Sequence, residues 1–407
     1  MASYQHDTIK VGDKIYEATE ALCGDGGKVE TESIVVTPKT TAQTILPSED
    51  KLIDKVDVTA VDRTIDINIQ PENIKKGVDI LGVEGNITPA TTVDRLQWVC
   101  DNIHALHGTF YKYQGTDYSI LEGLDTSKVY DFKNLFYYNI NMTTLPNLDL
   151  SGIDITKEPS PLYELCKNCY QLKNATLTLV KPTSLNHTFN NEGGNTNYPI
   201  NITVNNTEYI TDLRYCFSSR RLNSINGGNT LDIPNCTMLY SAFNGCKFYE
   251  MPELKLTNTQ KVKDWGSAFF FCETLKTLGD LDMISATFNS NTFYGCRALE
   301  NLIIKNIKLS IAFNDSSKLT NTSLLNTAKE LWDNTDNALG GARTLTMATT
   351  SKTNIKSIYV KLITPTAEQE VEDPYINNKK PCIECTSTDE GAMTLEEYII
   401  SKNWSIA

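Results

Sequence analysis

Through the middle of the chain, apolar residues recur in one phrase, aromatic-x-x-Cys-x-x-Leu-x-x-Leu. It is cleanest at Phe269, Cys272, Leu275 and Leu278, and again at Phe293, Cys296, Leu299 and Leu302. Looser copies run upstream: Phe136, Asn139, Met142 and Leu145; Cys166, Cys169, Leu172 and Ala175; Phe189, followed by a Gly- and Asn-rich insertion; Cys216, Ser219, Leu222 and Ile225; and Phe243, Cys246 and Tyr249. The second marked position falls at Asn139, Cys169, Glu192, Ser219, Cys246, Cys272 and Cys296, separated by 30, 23, 27, 27, 26 and 24 residues. Periods of this size indicate a solenoid, close to the leucine-rich range. One coil cannot bury its apolar side alone, and stacking sets equivalent side chains in file. A medium thiol or Asn suits a tight inner bend and Leu or Phe the wider interior, where each buried side chain contributes about 1.5–3 kcal/mol.

The flanks have a different periodicity. Leu96, Val99, Cys100, Ile103 and Leu106 share one helical stripe, with Thr91 or Thr92 as N-cap and Gly108 as the stop, which predicts an N-terminal capping helix. Residues 319–332 form a second amphipathic pattern, and 394–407 read as a helix running into a final strand. Before the array, Val56, Val58, Ile65, Ile67 and Ile69 alternate with polar residues, and Gly77, Gly82 and Gly85 occupy turn positions. The expected fold class is mixed α/β: a small N-terminal β module followed by a leucine-rich-repeat solenoid with helical caps. The expected division is 1–30 as an attachment segment, 31–90 as the β module, 91–310 as the array, and 311–407 as a C-terminal cap carrying an inserted surface loop at 362–391.

Charge narrows the partners. Of 407 residues, 37 are basic and 50 acidic, a net −13 that disfavours nucleic acid and anionic lipid. Hydrophobic residues at 40% are enough for a core, yet no uncharged apolar run approaches the length of a membrane helix. The opening MASYQHDTIKVGDKIYEATE lacks the apolar segment of a secretory signal, so a product soluble where it is made is expected. Eleven cysteines then read as reduced, apolar fillers.

Candidate chemistry is sparse. Cys166/Cys169 and Cys382/Cys385 could together make a four-thiolate zinc site, but the first pair holds two interior positions of one coil and the pairs lie more than 200 residues apart. The second pair could instead form a local redox-sensitive link. Cys246, Cys272 and Cys296 would stack within disulfide reach, but side chains in a ladder point the same way, which favours free thiols. His104 and His107 beside Cys100 read as a surface pair, and His6 and His187 have no visible partner. Gly24-Asp25-Gly26-Gly27 lacks the strand-to-helix context of a phosphate loop and reads as a linker, and no Ser-His-Asp or G-x-S-x-G arrangement is present. The expectation is no enzyme, no cofactor and no metal. The ladder comprises Phe136, Asn139, Cys169, Leu172, Cys216, Leu222, Phe243, Cys246, Phe269, Cys272, Leu275, Phe293, Cys296 and Leu299; Tyr137, Tyr138, Phe270, Phe271 and Tyr294 beside it are candidate surface contacts.

Two resemblances follow from particular phrases. LDTSKVYDFKNLFYYNINMTTLPNLDLSGIDITK at 124–157 is similar to the repeating phrase of BspA-like bacterial leucine-rich repeats, a likeness that extends over about residues 120–310 and implies an adhesive scaffold. Thr37, Pro38, Gln43, Ile45 and Pro47, with NIKKGVDILGVEGNI from Asn73 to Ile87, resemble a module of tailed-bacteriophage structural proteins. TLTMATTSK and EEYIISKNWSIA resemble the end of phage-borne leucine-rich proteins, here separated by 362–391. The resemblance implies a virion protein, a tail or head fibre, assembled in the host cytoplasm and displaying its array for host recognition or adhesion. Its implied partners are other virion proteins through the N-terminal region and a host cell-surface glycan or protein, with neither nucleic-acid binding nor membrane insertion; fibres of this kind are commonly trimers, and no heptad or collagen-like repeat in the sequence decides the oligomeric state. The alternative is a bacterial leucine-rich-repeat protein acting as a protein-binding scaffold or surface adhesin.

Overall fold

The computed structural model describes residues 93–192, 198–248 and 250–407 in full and, before them, the backbone of residue 92 and of strands at 8–11, 14–17, 31–36, 52–58, 79–80 and 83–84. Contacts divide the chain into Met1–Thr91 and Thr92–Ala407. In the first unit Thr8–Val11 pairs antiparallel with Lys14–Glu17, Thr31–Val36 parallel with Leu52–Val58, and Asp79–Ile80 antiparallel with Val83–Glu84. The rest of the expected attachment segment and the Ile65–Ile69 alternation lie outside the described residues, as does Tyr249.

The second unit contains a β-solenoid. Its strands stack in parallel: Asn174–Thr178, Ile200–Asn205 and Leu222–Ile225 in one sheet, and Thr230–Asp232, Glu253–Thr257, Thr277–Asp282 and Asn301–Lys305 in another. Leu254, Leu278 and Leu302 pair in register, each essentially buried, and side chains at 174–178 and 301–305 alternate out and in. A third sheet, Ile311–Phe313, Arg343–Met347 and Trp404–Ile406, continues the parallel stacking.

Among the described residues between 105 and 313 there is no α-helix: within the mixed α/β class expected for the chain, the coils themselves are built of strands and turns. The reason is local. In nearly every coil the residues two before and two after a central aromatic are left-handed: Gly108 and Lys112 around Phe110, Asn134 and Tyr138 around Phe136, Tyr215 and Ser219 around Phe217, Ser241 and Gly245 around Phe243, Ser267 and Phe271 around Phe269, Asn291 and Gly295 around Phe293. A left-handed residue costs about 1–2 kcal/mol and cannot sit inside a helix. It also turns the arc so that amides point along the stack, where Phe217 N–H donates to Ala242 O at 2.9 Å, Phe243 to Ala268 at 2.8 Å and Phe269 to Thr292 at 3.0 Å. Opposite bends use left-handed Asn206, Asn258 and Asn306, whose amides reach Leu179 O, Asp232 Oδ1 and Asp282 Oδ1 of the preceding coil at 2.8, 2.6 and 2.8 Å.

The flanking helices differ in detail from expectation. The first, Thr92–Asn102, ends where His104 turns left-handed and both Ile103 and His104 donate to Val99 O; Ile103 is exposed, and Gly108 opens the arc of Phe110 instead of stopping the helix. Asn321–Glu330 buries Leu324, Leu325 and Ala328, with Thr320 as N-cap. Leu395–Ser401 begins with a Thr394/Glu397 capping box and leads into Trp404–Ile406. Residues 362–391 are more than a surface loop. Cys382–Cys385 and Met393–Thr394 flank Tyr359–Leu362 antiparallel, Ala367–Glu372 is a helix with its own capping box, and Lys379 is buried.

A candidate interaction edge on the solenoid

The arcs stack their aromatics face to face. Ring centroids of Phe189 and Phe217 are 6.2 Å apart, Phe217 and Phe243 5.1 Å, Phe243 and Phe269 5.5 Å, Phe269 and Phe293 5.9 Å, and Phe293 and Phe313 5.0 Å. Phe110 stacks likewise on Phe136 at 5.8 Å, and Cys166 takes the aromatic's place between Phe136 and Phe189, since Phe136 donates to Leu165 O and Cys166 to Thr188 O. Such pairs add about 0.5–1.5 kcal/mol beyond area burial.

Three residues on, the thiol file has a chemical rationale besides size. Cys169 Sγ donates to Phe136 O at 3.0 Å, Cys246 to Phe217 O at 2.8 Å, Cys272 to Phe243 O at 3.0 Å and Cys296 to Phe269 O at 3.1 Å. Each thiol thus satisfies a buried carbonyl of the preceding coil. Burial pushes the Cys296 thiol up to about 12 and those of Cys166, Cys216 and Cys272 well above the ordinary value, so they stay protonated donors; all are free. Asn139, wholly buried in the same file, accepts from Tyr113 N–H at 2.9 Å.

The fourth copy needs a correction. Phe217, not Cys216, occupies the aromatic file, and Arg220, not Ser219, occupies the thiol file; Cys216 is buried one place earlier. Buried Leu222 follows Arg220 by two residues and buried Phe248 follows Cys246 by two, whereas Leu275 and Leu299 follow Cys272 and Cys296 by three. Alignment on Leu222 therefore displaces the other side of that coil by one. Arg220 is 1% exposed and does the thiol's work at longer reach: Nε donates to Phe189 O, Nη1 to Cys169 O at 3.0 Å and Nη2 to Cys166 O at 3.0 Å. It crosses the third coil, whose equivalent residue Glu192 faces outward and pairs with Lys167 at 3.1 Å. Desolvation lowers the Arg220 pKa.

The five candidate contacts fall into two groups on the outer side of the arcs. Tyr137 stacks on Tyr111 at 5.1 Å, and Tyr138 meets Tyr170 edge-on at 5.6 Å; both are half-buried. Phe270 stacks on Tyr294 at 5.2 Å with Phe271 edge-on to it, and Phe271 and Tyr294 are exposed. Between the groups, equivalent positions are Asn190, Ser218 and Asn244, so the line is interrupted. A second file, missed in the sequence, precedes the ladder by two or three residues: Tyr163, His187, Tyr215 and Tyr240, with successive centroids at 5.3, 4.4 and 5.4 Å. Phe288 extends it over Gly266, where a Cβ would lie 2.4 Å from the ring. Ion pairs border this file, Lys133–Glu158 at 2.6 Å, Lys167–Glu164 at 2.7 Å and Arg214–Asp212 at 2.8 Å. Burial is the main cause that lowers the His187 pKa. The ring edges, hydroxyls and paired charges equip this edge for contact with a polar, partly apolar surface.

The other singled-out residues are spread apart. Cys100 is buried, His104 Nδ1 sits 3.0 Å from Cys100 O, and His107 Nδ1 lies 3.5 Å from Asp131. Cys382 and Cys385 share one strand, where three residues span about 10 Å, beyond disulfide reach. Among the described residues no three His, Cys, Asp or Glu side chains lie together so as to hold a metal, and no helix is long and apolar enough to cross a membrane.

A family model described as "Mycoplasma protein of unknown function, DUF285" matches residues 183–307, the stretch from Thr183 through the strand Asn301–Lys305. No curated protein and no solved structure gives a significant match. The family match and the coil-by-coil register agree on one point. The chain is a repeat protein whose array is a β-solenoid.

Proposed function

We propose that the chain is a non-enzymatic structural protein of a tailed-phage particle, a tail or head fibre, whose array is displayed for recognition of a host-surface glycan or protein. The observation that carries the display reading is the half-exposed aromatic file Tyr163, His187, Tyr215 and Tyr240 along the stack, bordered by ion pairs. Association with a particle rests on the phrases at Thr37–Pro47 and Asn73–Ile87, in a first unit that would serve as the mount and the site of trimerisation. Purified virions should contain this chain at fixed stoichiometry in immunoblots, and recombinant 92–407 should reduce phage adsorption. Absence from virions would refute the virion role, and unaltered adsorption would refute receptor recognition. The match of 183–307 to a family described from Mycoplasma favours a second reading, a bacterial scaffold or surface adhesin, which envelope fractionation would reveal.

A further inference from the structure

We propose that Lys379 and Glu330 form an intramolecular amide bond that fastens the inserted segment to the helix Asn321–Glu330. Lys379 is 4% exposed, and its Nζ lies 2.6 Å from Glu330 Oε2 and 2.8 Å from Asp373 Oδ2, an amine held between two carboxyl groups. Glu330 and Lys379 are 49 residues apart in sequence, so the contact is made by folding alone. Tyr398 Oη donates to Lys379 O at 3.1 Å, which fixes the backbone carrying the amine. The amine and the carboxyl oxygen are thus held at hydrogen-bond distance by the fold, which replaces their encounter in solution.

The two carboxyl groups are not equivalent. Glu330 Oε2 accepts Asn306 N–H at 3.2 Å, a donor placed to stabilise negative charge on that oxygen as the carbon becomes tetrahedral. The Asp373 side chain is 34% exposed against 23% for Glu330, so Asp373 is the one with a path to water. Asp373 takes one proton from the Lys379 nitrogen and relays it to the departing Glu330 oxygen as the amine attacks Cδ; a second proton from the nitrogen joins the same oxygen, and Asp373 ends as the carboxylate it began as. The new C–N bond replaces the C–OH bond, and one water leaves; no oxidant or cofactor is required. The result is a covalent link from the segment 362–391 to the end of the array, independent of the function proposed above.

Intact-mass spectrometry of the purified full chain tests this. The expected mass is lower than the sequence mass by one water, and trypsin yields a branched product joining Glu330–Arg343 to the peptide carrying Lys379. Lys379→Arg, which keeps the charge but cannot form the bond, should restore the full mass with an unchanged circular dichroism spectrum. Asp373→Asn should slow formation of the link. A wild-type mass equal to the sequence mass overturns the proposal, and so does a link from Lys379 to Asp373 in place of Glu330.

Discussion

Arg220 offers the sharpest energetic test of the stacked-coil account. Its guanidinium is wholly buried and donates to three main-chain carbonyls, those of Phe189, Cys169 and Cys166. Arg220→Ala leaves Phe189 O without its donor, at about 1–3 kcal/mol, removes the second donor from Cys169 O and Cys166 O, which still accept Leu172 N–H at 3.2 Å and Cys169 N–H at 3.3 Å, and opens a cavity. Against this, the mutant no longer buries a guanidinium, which recovers several kcal/mol of desolvation. The net expectation is a loss of about 1–3 kcal/mol, set by the orphaned Phe189 carbonyl. Arg220→Cys supplies the thiol that neighbouring coils use and restores a donor to Phe189 O alone, so it should fall between wild type and Arg220→Ala. Arg220→Met fills volume without any donor and should resemble Arg220→Ala more than Arg220→Cys. Guanidinium unfolding of 92–407, with midpoints and slopes for the three variants, provides the comparison. Wild-type stability in Arg220→Ala, or Arg220→Met above Arg220→Cys, would refute the carbonyl-capping role.

Gly152 sits where a Cβ would lie 2.5 Å from Val129 O, so Gly152→Ala forces backbone apart and should cost about 1–3 kcal/mol in the same assay. His187 has a folded pKa below its ordinary value of about 6.5, so the unfolded chain takes up the proton first; stability should be full above that value and decline as pH falls through the lower folded pKa, a slope that His187→Gln removes in pH-dependent melting. Iodoacetamide on native protein, read by peptide mass spectrometry, should modify Cys385 and spare Cys166, Cys169, Cys216, Cys246, Cys272 and Cys296 until denaturant is added.

Legibility in the sequence varied with how strictly each residue type was required. Phe269–Leu278 and Phe293–Leu302 announced the repeat because their Cys and Leu positions are spaced alike and all are buried. The arc of Phe110 was missed because its thiol position holds Tyr113, and Phe217 was missed because the strand side of that coil is one residue shorter. Left-handed positions would have fixed the register at once, yet they are filled by Glu164, Tyr215, Ser219 and Phe271 as often as by Asn or Gly, and those residues carry no preference for that conformation. Coil-to-coil hydrogen bonds, not local propensity, impose it. The aromatic file at Tyr163, His187, Tyr215 and Tyr240 was invisible for the same reason, since its members lie two or three places from a ladder position known only once the register is fixed. The order in 362–391 had one readable signal, Thr366-x-x-Gln369, a capping box.

The central claim is the continuous file of equivalent side chains, and ring-to-ring NOEs in 92–407 with selectively labelled Phe test it most directly. The account gives an unbroken series from Phe189 through Phe217, Phe243, Phe269 and Phe293 to Phe313, matching centroid spacings of 5.0–6.2 Å. A series that skips Phe217, or rings with no sequential NOEs, would contradict it.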